Sequence, residues 1–405
     1  MYEKESLGRK KGFTYETKGF DPMKVLYIGH YKEFGGWAQA ATDQILSLDA
    51  VGIDVVCRNV TLTRDKQDVH PKLLELEKKD SSNCDFCIQH VLPHHLVGTK
   101  AFKKNIAFLE AESDSIKQLA WFECLKQMDE VWVPNKDLLN SLINDASQEG
   151  WQISAKLVHH ATDIEKYKKQ YVNMSIPKAN DSFKFYYAGD LNDRKNLECI
   201  FSCFHSEFDK SEDAILIIKT RKFGKSSEET KAELDNKLSH VKNLLRIYSS
   251  LDQYKQDIVI AEEISIEQMY SLHNYCDCFL CPSHGEAWSL PSVDAMAFGN
   301  TPICSNFGGP KEFITEDENT GKLIDGHFAV CKCSDAAFPD IFTAREYWFQ
   351  PCEKQIRKQM RKYYESYKKN PIAHKQNARA AGLNSVARFS HENIGKRMLE
   401  ILNES

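Results

Sequence analysis

The chain lacks several features that would assign it to a specialised class of protein. Its 405 residues include no apolar run near the roughly 18 residues that a membrane-spanning helix needs. It also lacks an excess of basic charge, because 53 Lys and Arg face 58 Asp and Glu. The resulting net charge of −5 argues against a protein whose main task is binding nucleic acid. With 42% hydrophobic and 27% charged residues, the composition excludes a disordered chain.

Residues 1–22 contain basic side chains but no apolar core, so no secretory signal is predicted and the segment is an N-terminal extension. The thirteen cysteines then indicate reduced thiols and a cytoplasmic protein. Zinc ligation is the alternative for Cys84-x2-Cys87 and for the group Cys276, Cys278 and Cys281. Because these cysteines surround apolar strands, packing as small hydrophobic side chains is the better interpretation, and no metal site is predicted.

Strand and helix patterns alternate in two successive blocks. The first block contains predicted strands at 25–28, 53–57, 86–89, 106–109, 131–133 and 156–158, with a helix at 37–48. The second contains predicted strands at 183–188, 214–218, 258–261, 278–281 and 302–305. The aperiodic segment 168–182, which holds Pro177, is the predicted linker between the blocks. This alternation predicts an α/β protein with two doubly wound, Rossmann-like domains that face a central cleft.

Two short loops after predicted strands could meet an anion. Gly35 and Gly36 separate the first strand from the first helix, where a tight turn and a phosphate-binding turn are equally compatible with the pattern. No G-x-G-x-x-G fingerprint accompanies them. The second loop, GDLNDRKN, begins at Gly189 and carries Arg194 and Lys195. Adjacent cations suit a diphosphate, although a solvated turn is the usual reason for such a pair.

The segment 278–312 is the most informative part of the sequence. It reads as a strand, a loop with Glu286, a helix at about 291–298 with Asp294, and a second strand that leads to Gly308-Gly309-Pro310. Two carboxylates and two helix N-termini would therefore converge at one edge of the sheet. Carboxylates accept hydrogen bonds from hydroxyl groups, while helix N-termini attract negative charge. A solvated Asp294 and a capping Glu286 are the alternative interpretation.

The stretch PSHGEAWSLPSVDAMAFGNTPICSNFGGPKEFI resembles the donor-binding segment of GT-B glycosyltransferases, most closely the retaining family 4 group. GDLNDRKN, MDEVWVPN and the Gly35-Gly36-Trp37 loop resemble further segments of that family. The resemblance implies a GT-B architecture: an acceptor domain at 23–175, a donor domain at 183–380, and a C-terminal helix at 381–405 that packs back on the first domain.

The resemblance also implies roles for individual residues. Glu286 would contact the hydroxyls of the donor sugar, Asp294 would hold the nucleotide ribose, and Lys195 with Arg194 would face the diphosphate. The remaining residues implied to lie at the donor are Gly35, Gly36, Gly189, Ala287, Trp288, Ser289 and Leu290.

Three departures from the family pattern bear on the donor. The second acid is Asp294 rather than glutamate, Ala287-Trp288-Ser289 replaces the family's G-F-G, and Asp190 stands where an arginine often follows the glycine.

On the acceptor side, the expectations rest on strand ends. His90, Glu110 and Glu112 each follow a predicted strand of the first block and are candidates for the acceptor half of the cleft, with a structural role as the alternative. The basic run 354–369, in a segment predicted to be helical over 353–375, could contact an anionic membrane if the acceptor is a lipid; a solvated helix face is the competing interpretation.

The expected reaction is transfer of a sugar, with retained configuration, from a nucleoside diphosphate sugar to a hydroxyl of a glycan or lipid-linked acceptor. Neither a cofactor nor a metal is expected. The alternatives are a catalytically degenerate nucleotide-sugar-binding partner subunit, and a GT-B sugar epimerase or phosphorylase.

Overall fold

The computed structural model describes residues 23–62, 69–117, 121–172, 174, 176, 179, 181–315, 317, 319–334 and 341–404. The predicted extension 1–22 and Pro177 of the predicted linker lie outside the described residues.

The first half of the chain forms a six-stranded parallel sheet in the order β2-β1-β3-β4-β5-β6. Short, apolar strand segments separated by helices favour parallel pairing, because each crossover covers one face of the sheet. The strands are β1 (Lys24–Gly29), β2 (Asp54–Asn59), β3 (Phe86–His90), β4 (Lys104–Phe108), β5 (Glu130–Val133) and β6 (Ala155–Leu157). The helices are α1 (Gly36–Ala50), α2 (Pro71–Leu76), α3 (Trp121–Leu125) and α4 (Lys136–Gln148).

The second half repeats the plan with a second parallel sheet, ordered β12-β11-β10-β7-β8-β9. Its strands are β7 (Phe183–Asp190), β8 (Ala214–Arg221), β9 (Asp257–Ile260), β10 (Cys278–Cys281), β11 (Ile303–Ser305) and β12 (Lys322–Ile324). Its helices are α5 (Leu197–Glu207), α6 (Ser227–Leu245), α7 (Ile266–Tyr275), α8 (Leu290–Ala297) and α9 (Pro310–Phe313). The strand order reverses between β7 and β10, which opens a crevice at their carboxyl ends.

The chain ends in a hairpin and three helices. The hairpin pairs β13 (Gly326–Val330) with β14 (Tyr347–Pro351), and the helices are α10 (Glu353–Lys369), α11 (Pro371–Val386) and α12 (His391–Asn403). Helix α12 packs on α1 of the first half, where Gly395 lies against the Ser47 backbone so closely that a Cβ would be 2.1 Å from its carbonyl oxygen. His391 Nε2 also lies 2.8 Å from Asp43 Oδ1.

The predicted α/β class with two Rossmann-like sheets is confirmed. Boundaries differ in places: β2 runs on to Asn59, and α8 begins at Leu290 rather than Pro291. The single helix predicted for 353–375 is wrong, because the chain breaks at Asn370 between α10 and α11. Proline is tolerated only in the first turn of a helix. Pro371 accordingly begins α11, and the Asn370 side chain caps that helix.

All thirteen cysteines are free thiols. Cys276 and Cys281 belong to one apolar core and Cys278 to another. Cys278 and Cys281, at the two ends of β10, lie on opposite faces because side chains alternate along a strand. No helix in the described part of the chain combines the length and apolar character needed to cross a bilayer.

Candidate functional site

The candidate site lies where the loops after β7 and β10 leave the same edge of the second sheet. The loop after β7 forms a 3₁₀ turn at Asp193–Lys195, in which the Asn192 side chain accepts a hydrogen bond from the Lys195 amide. Asn196 closes the turn in the left-handed conformation, with φ 56°. This geometry directs Lys195 toward the β10 loop, where its Nζ lies 2.7 and 3.0 Å from the two carboxylate oxygens of Glu286.

Arg194 binds three groups at this edge. Its guanidinium donates to the Gly285 carbonyl at 2.6 Å, and its nitrogens lie 3.5 Å from Glu286 Oε2 and 3.4 Å from Glu112 Oε1. Glu112 follows β4 of the first sheet, so Arg194 links the two halves of the molecule. A residue expected on the acceptor side thus lies at the predicted donor side.

The charges at this edge are strongly perturbed. Burial by itself would raise the pKa of Glu286, but Lys195 and Arg194 outweigh it and hold that pKa at about 2. Glu286 is therefore a carboxylate near neutral pH, suited to accepting hydrogen bonds and not to donating a proton. The pKa of Glu112 is raised, mainly by burial, although Arg194 opposes the shift.

Asp294 lies one turn inside α8, eight residues after Glu286. Its Oδ1 accepts a hydrogen bond from the Tyr167 hydroxyl at 2.6 Å and lies 2.8 Å from Lys166 Nζ. Lys166 and Tyr167 belong to a 3₁₀ turn that follows the first sheet. Asp294 thus contacts Lys166 and Tyr167, whereas Glu286 contacts Lys195 and Arg194. Oδ1 of Asp294, the residue predicted to hold the ribose, is already bound within the protein.

The glycine loop of the first half reaches the second sheet. A Cβ built on Gly36 would lie 3.9 Å from the Leu290 side chain, and one on Gly35 would lie 3.2 Å from a guanidinium nitrogen of Arg221. Gly35 has φ 108°, a conformation that favours glycine. This loop therefore closes the crevice from the opposite side. Gly189 lies near the end of β7, beside the Tyr187 hydroxyl.

The loop before α8 is fixed by contacts to both halves. Asn135, the last residue of MDEVWVPN, donates to the Ala287 carbonyl at 2.7 Å, and the Gly309 amide donates to the Glu286 carbonyl at 2.8 Å. Trp288 is buried and its indole packs against His159 and Phe389. Ser289 precedes α8 in the left-handed conformation, with φ 81°. These contacts hold Glu286 in place, whereas the Trp288 side chain serves packing.

His90 and Glu110 form a separate cluster at the carboxyl edge of the first sheet. Glu110 Oε1 lies 2.6 Å from His90 Nε2 and 3.2 Å from His160 Nε2, and the Tyr27 hydroxyl lies 2.8 Å from His90 Nδ1. Burial would raise the pKa of Glu110, but His160 and His90 lower it below its usual value. Burial lowers the pKa of His90, so its imidazole favours the neutral form. This cluster combines hydrogen-bond donors and acceptors, the two imidazoles and the Tyr27 hydroxyl, around one carboxylate.

Several residues of the site were not predicted as functional. Asn135 ends MDEVWVPN, which resembles a family segment, but no role was assigned to it. Arg221, Lys166 and Tyr167 carry no local pattern that marks them, and Arg221 follows an apolar run as the last residue of its strand. Among the described residues, no group of three or more His, Cys, Asp or Glu side chains is arranged to hold a metal ion.

The match to a known protein family covers the part of the chain that contains these site loops. The family model described as "Glycosyl transferases group 1" matches residues 173–331, which include Lys195, Glu286 and Asp294. The resemblance inferred from the motifs is thereby confirmed for this part of the chain. No curated protein sequence matches the chain.

Solved structures match over almost the whole chain. HepE from Anabaena in complex with UDP-glucose is 13% identical, covers 95% of this chain and 100% of its own, and has a TM-score of 0.62. Sucrose-phosphate synthase from Thermosynechococcus elongatus is 15% identical, with coverage of 94% and 98% and a TM-score of 0.59. A trehalose-6-phosphate structure from E. coli, bound with UDP-2-fluoro glucose, is 10% identical, with coverage of 94% and 99% and a TM-score of 0.62. At these identities the likeness establishes the fold, which is the GT-B architecture.

Proposed function

Because residues 173–331 match the glycosyl transferases group 1 model on a GT-B fold, we propose that this protein transfers a sugar from a nucleoside diphosphate sugar to an acceptor hydroxyl, with retention of configuration. The observation that carries the proposal is the contact of Lys195 Nζ with Glu286 at 2.7 Å, at the point where the strand order reverses. Ligands of open α/β sheets bind at such points.

The reaction requires a carboxylate that accepts hydrogen bonds from the sugar hydroxyls. It also requires a cation that stabilises the negative charge of the leaving diphosphate. Glu286 stays ionised because its pKa is about 2 after burial is outweighed by Lys195 and Arg194. It would accept hydrogen bonds from the donor sugar, while Lys195 would stabilise the diphosphate as the anomeric bond breaks. Positioned charges of this kind commonly supply about 3–4 kcal/mol of barrier lowering each. No metal ion is needed for that step.

The acceptor would approach from the first sheet, where His90, Glu110 and His160 meet. These groups are suited to binding a hydroxyl and orienting its proton. Retention would follow from departure of the diphosphate and attack of the hydroxyl on the same face of the sugar. A glycan and a lipid-linked acceptor both fit this chemistry.

The experiment is a panel of UDP-, GDP- and ADP-sugars tested by thermal shift and then by transfer assay with NMR of the anomeric proton. A ligand present at about 100 times its dissociation constant should stabilise the fold by about 2.7 kcal/mol. A product with inverted configuration would overturn the retaining mechanism. Absence of binding by every donor in the panel would overturn the function itself.

A second candidate is a nucleotide-sugar-binding subunit without turnover. It is favoured by the 2.8 Å contact of Asp294 with Lys166, because that contact uses an oxygen which the ribose would otherwise engage. Hydrolysis or transfer of a bound donor by the purified protein would dismiss this candidate.

A further inference from the structure

A second basic group lies beside the candidate site, at the carboxyl end of β8. Strand β8 pairs in parallel with β7, and the register places Arg221 opposite Asp190. The two side chains form an ion pair in which Arg221 Nε lies 3.1 Å from Asp190 Oδ1. Asp190 is the residue that occupies the place where the resembled family often has an arginine. The cation missing from β7 is therefore present on the neighbouring strand.

Arg221 has donors to spare, unlike the two cations predicted from the sequence. Lys195 is bound to both oxygens of Glu286, and Arg194 is shared between two carboxylates and a carbonyl. Among the described residues, Arg221 forms an ion pair with Asp190 alone, through Nε, and its side chain is 37% exposed. Its guanidinium also borders Gly35, so it lies between the glycine loop and the second sheet. A planar fork of N–H groups in such a crevice suits a phosphate.

Lys219 is the second, independent observation. It lies two residues before Arg221 on the same face of β8, and it is only 5% exposed. Its Nζ donates to the Thr220 carbonyl at 3.3 Å, and among the described residues no carboxylate lies within ion-pair distance of it. Asp190, Glu262 and Glu263 act on it only from farther away, so the buried ammonium has no direct partner that an anionic ligand would have to displace. Burial, followed by the charge of Arg221, lowers the pKa of Lys219, as expected for such a group.

We propose that Arg221, together with Lys219, binds the diphosphate of the donor. This inference rests on the proposed function, because it assigns a ligand to the same crevice. Asp190 holds the guanidinium by one nitrogen and leaves the others to the ligand. Arg221 is accordingly a binding residue, and Lys195 remains the cation nearest Glu286.

The test is calorimetric titration of UDP, GDP and ADP, and of the matching nucleosides, into the wild-type protein and its variants. For the diphosphate that binds, Arg221→Gln should weaken binding by about tenfold to a hundredfold, the range expected for loss of charge-assisted hydrogen bonds. Binding of the nucleoside should stay within about twofold. Lys222→Gln is the matched control, since Lys222 is the next residue but pairs with Glu233 at 2.6 Å.

The double variant Asp190→Asn with Arg221→Gln separates ligation from mere neutralisation of Asp190. If Arg221 binds the diphosphate, the double variant stays as weak as Arg221→Gln; restored binding would overturn the inference. Thermal unfolding of each variant shows that the protein is folded, and Arg221→Lys, which keeps the charge, should fall between wild type and Arg221→Gln. Equal affinity of the wild-type protein and of Arg221→Gln for a diphosphate overturns this inference alone. A wild-type protein that binds none of the three overturns the proposed function with it.

Discussion

Each of the two sheets holds a buried carboxylate at its carboxyl edge, but the two sheets neutralise it by different means. In the second sheet Glu286 lies between Lys195 and Arg194, an ammonium and a guanidinium. In the first sheet Glu110 lies between the imidazoles of His90 and His160. Fixed cations suit a step in which a diphosphate leaves, whereas imidazoles suit the handling of a hydroxyl proton. The difference agrees with the proposed division into donor and acceptor sides.

Asp294 gives the strongest test of this comparison. It lies on α8 of the second half, and its cation, Lys166, belongs to the segment that follows the first sheet. Lys166→Met leaves that carboxylate, which is 14% exposed, without its cation, which should lower the free energy of unfolding by about 3 kcal/mol in urea titrations. Lys168→Met is the control, because Lys168 is exposed and its pair with Glu165 should contribute less than about 1 kcal/mol. Equal effects of the two changes would show that the Asp294 pair does not support the fold.

Removal of a fixed cation tests the donor side directly. Lys195→Ala should reduce turnover with any accepted donor by about two orders of magnitude, since the leaving diphosphate loses its nearest charge. Lys225→Ala removes a lysine that pairs with Glu233 away from Glu286 and should leave turnover unchanged. Steady-state rates measured on folded protein decide the matter, and near-normal activity of Lys195→Ala would remove this residue from the mechanism.

Calorimetric titrations should also distinguish the roles of Glu286 and Glu110. Glu286→Gln should weaken binding of the nucleotide sugar about tenfold more than binding of the nucleotide, because the carboxylate accepts sugar hydroxyls. Glu110→Gln, on the acceptor side, should leave the binding of both ligands unchanged. A similar loss of nucleotide and nucleotide sugar in Glu286→Gln would contradict its assigned contact with the sugar.

The smallest expected effect is on the pH dependence of stability. Burial lowers the folded-state pKa of His90, so the unfolded chain binds more protons below the usual histidine pKa of about 6.5. The free energy of unfolding should therefore fall as the pH drops from about 6.5, by up to about 1.4 kcal/mol per pH unit for this group. Glu110, whose pKa is lowered, acts in the same direction at more acidic pH.

Urea unfolding at pH 7.5, 6.5 and 5.5 measures that slope, and His90→Gln should reduce it. Glu286 should contribute nothing to the slope in this range, because its pKa is about 2. An unchanged slope in His90→Gln would show that other groups control the pH response of the first sheet.

Local patterns were enough to predict much of this molecule. Apolar runs separated by helical periodicity predicted all the strands of the first sheet and all those of the second except β12. The family resemblance singled out Lys195 and Glu286, which meet at the switch point. The hairpin of β13 and β14 was not predicted, since β13 is largely exposed and offers no apolar alternation. The break at Asn370 was also missed, although Pro371 could have indicated it.

The sequence by itself determined the two α/β blocks and the order of the motifs, because strand and helix periodicities are local properties of the chain. Only the tertiary structure decided which charges face each other. The ion pairs that it forms are Glu112 with Arg194, Asp190 with Arg221, and Asp294 with Lys166. Each pairing joins segments distant in the chain and depends on strand register or on how the two halves meet. Such contacts follow from the packing of whole sheets, to which no short run of residues is a guide.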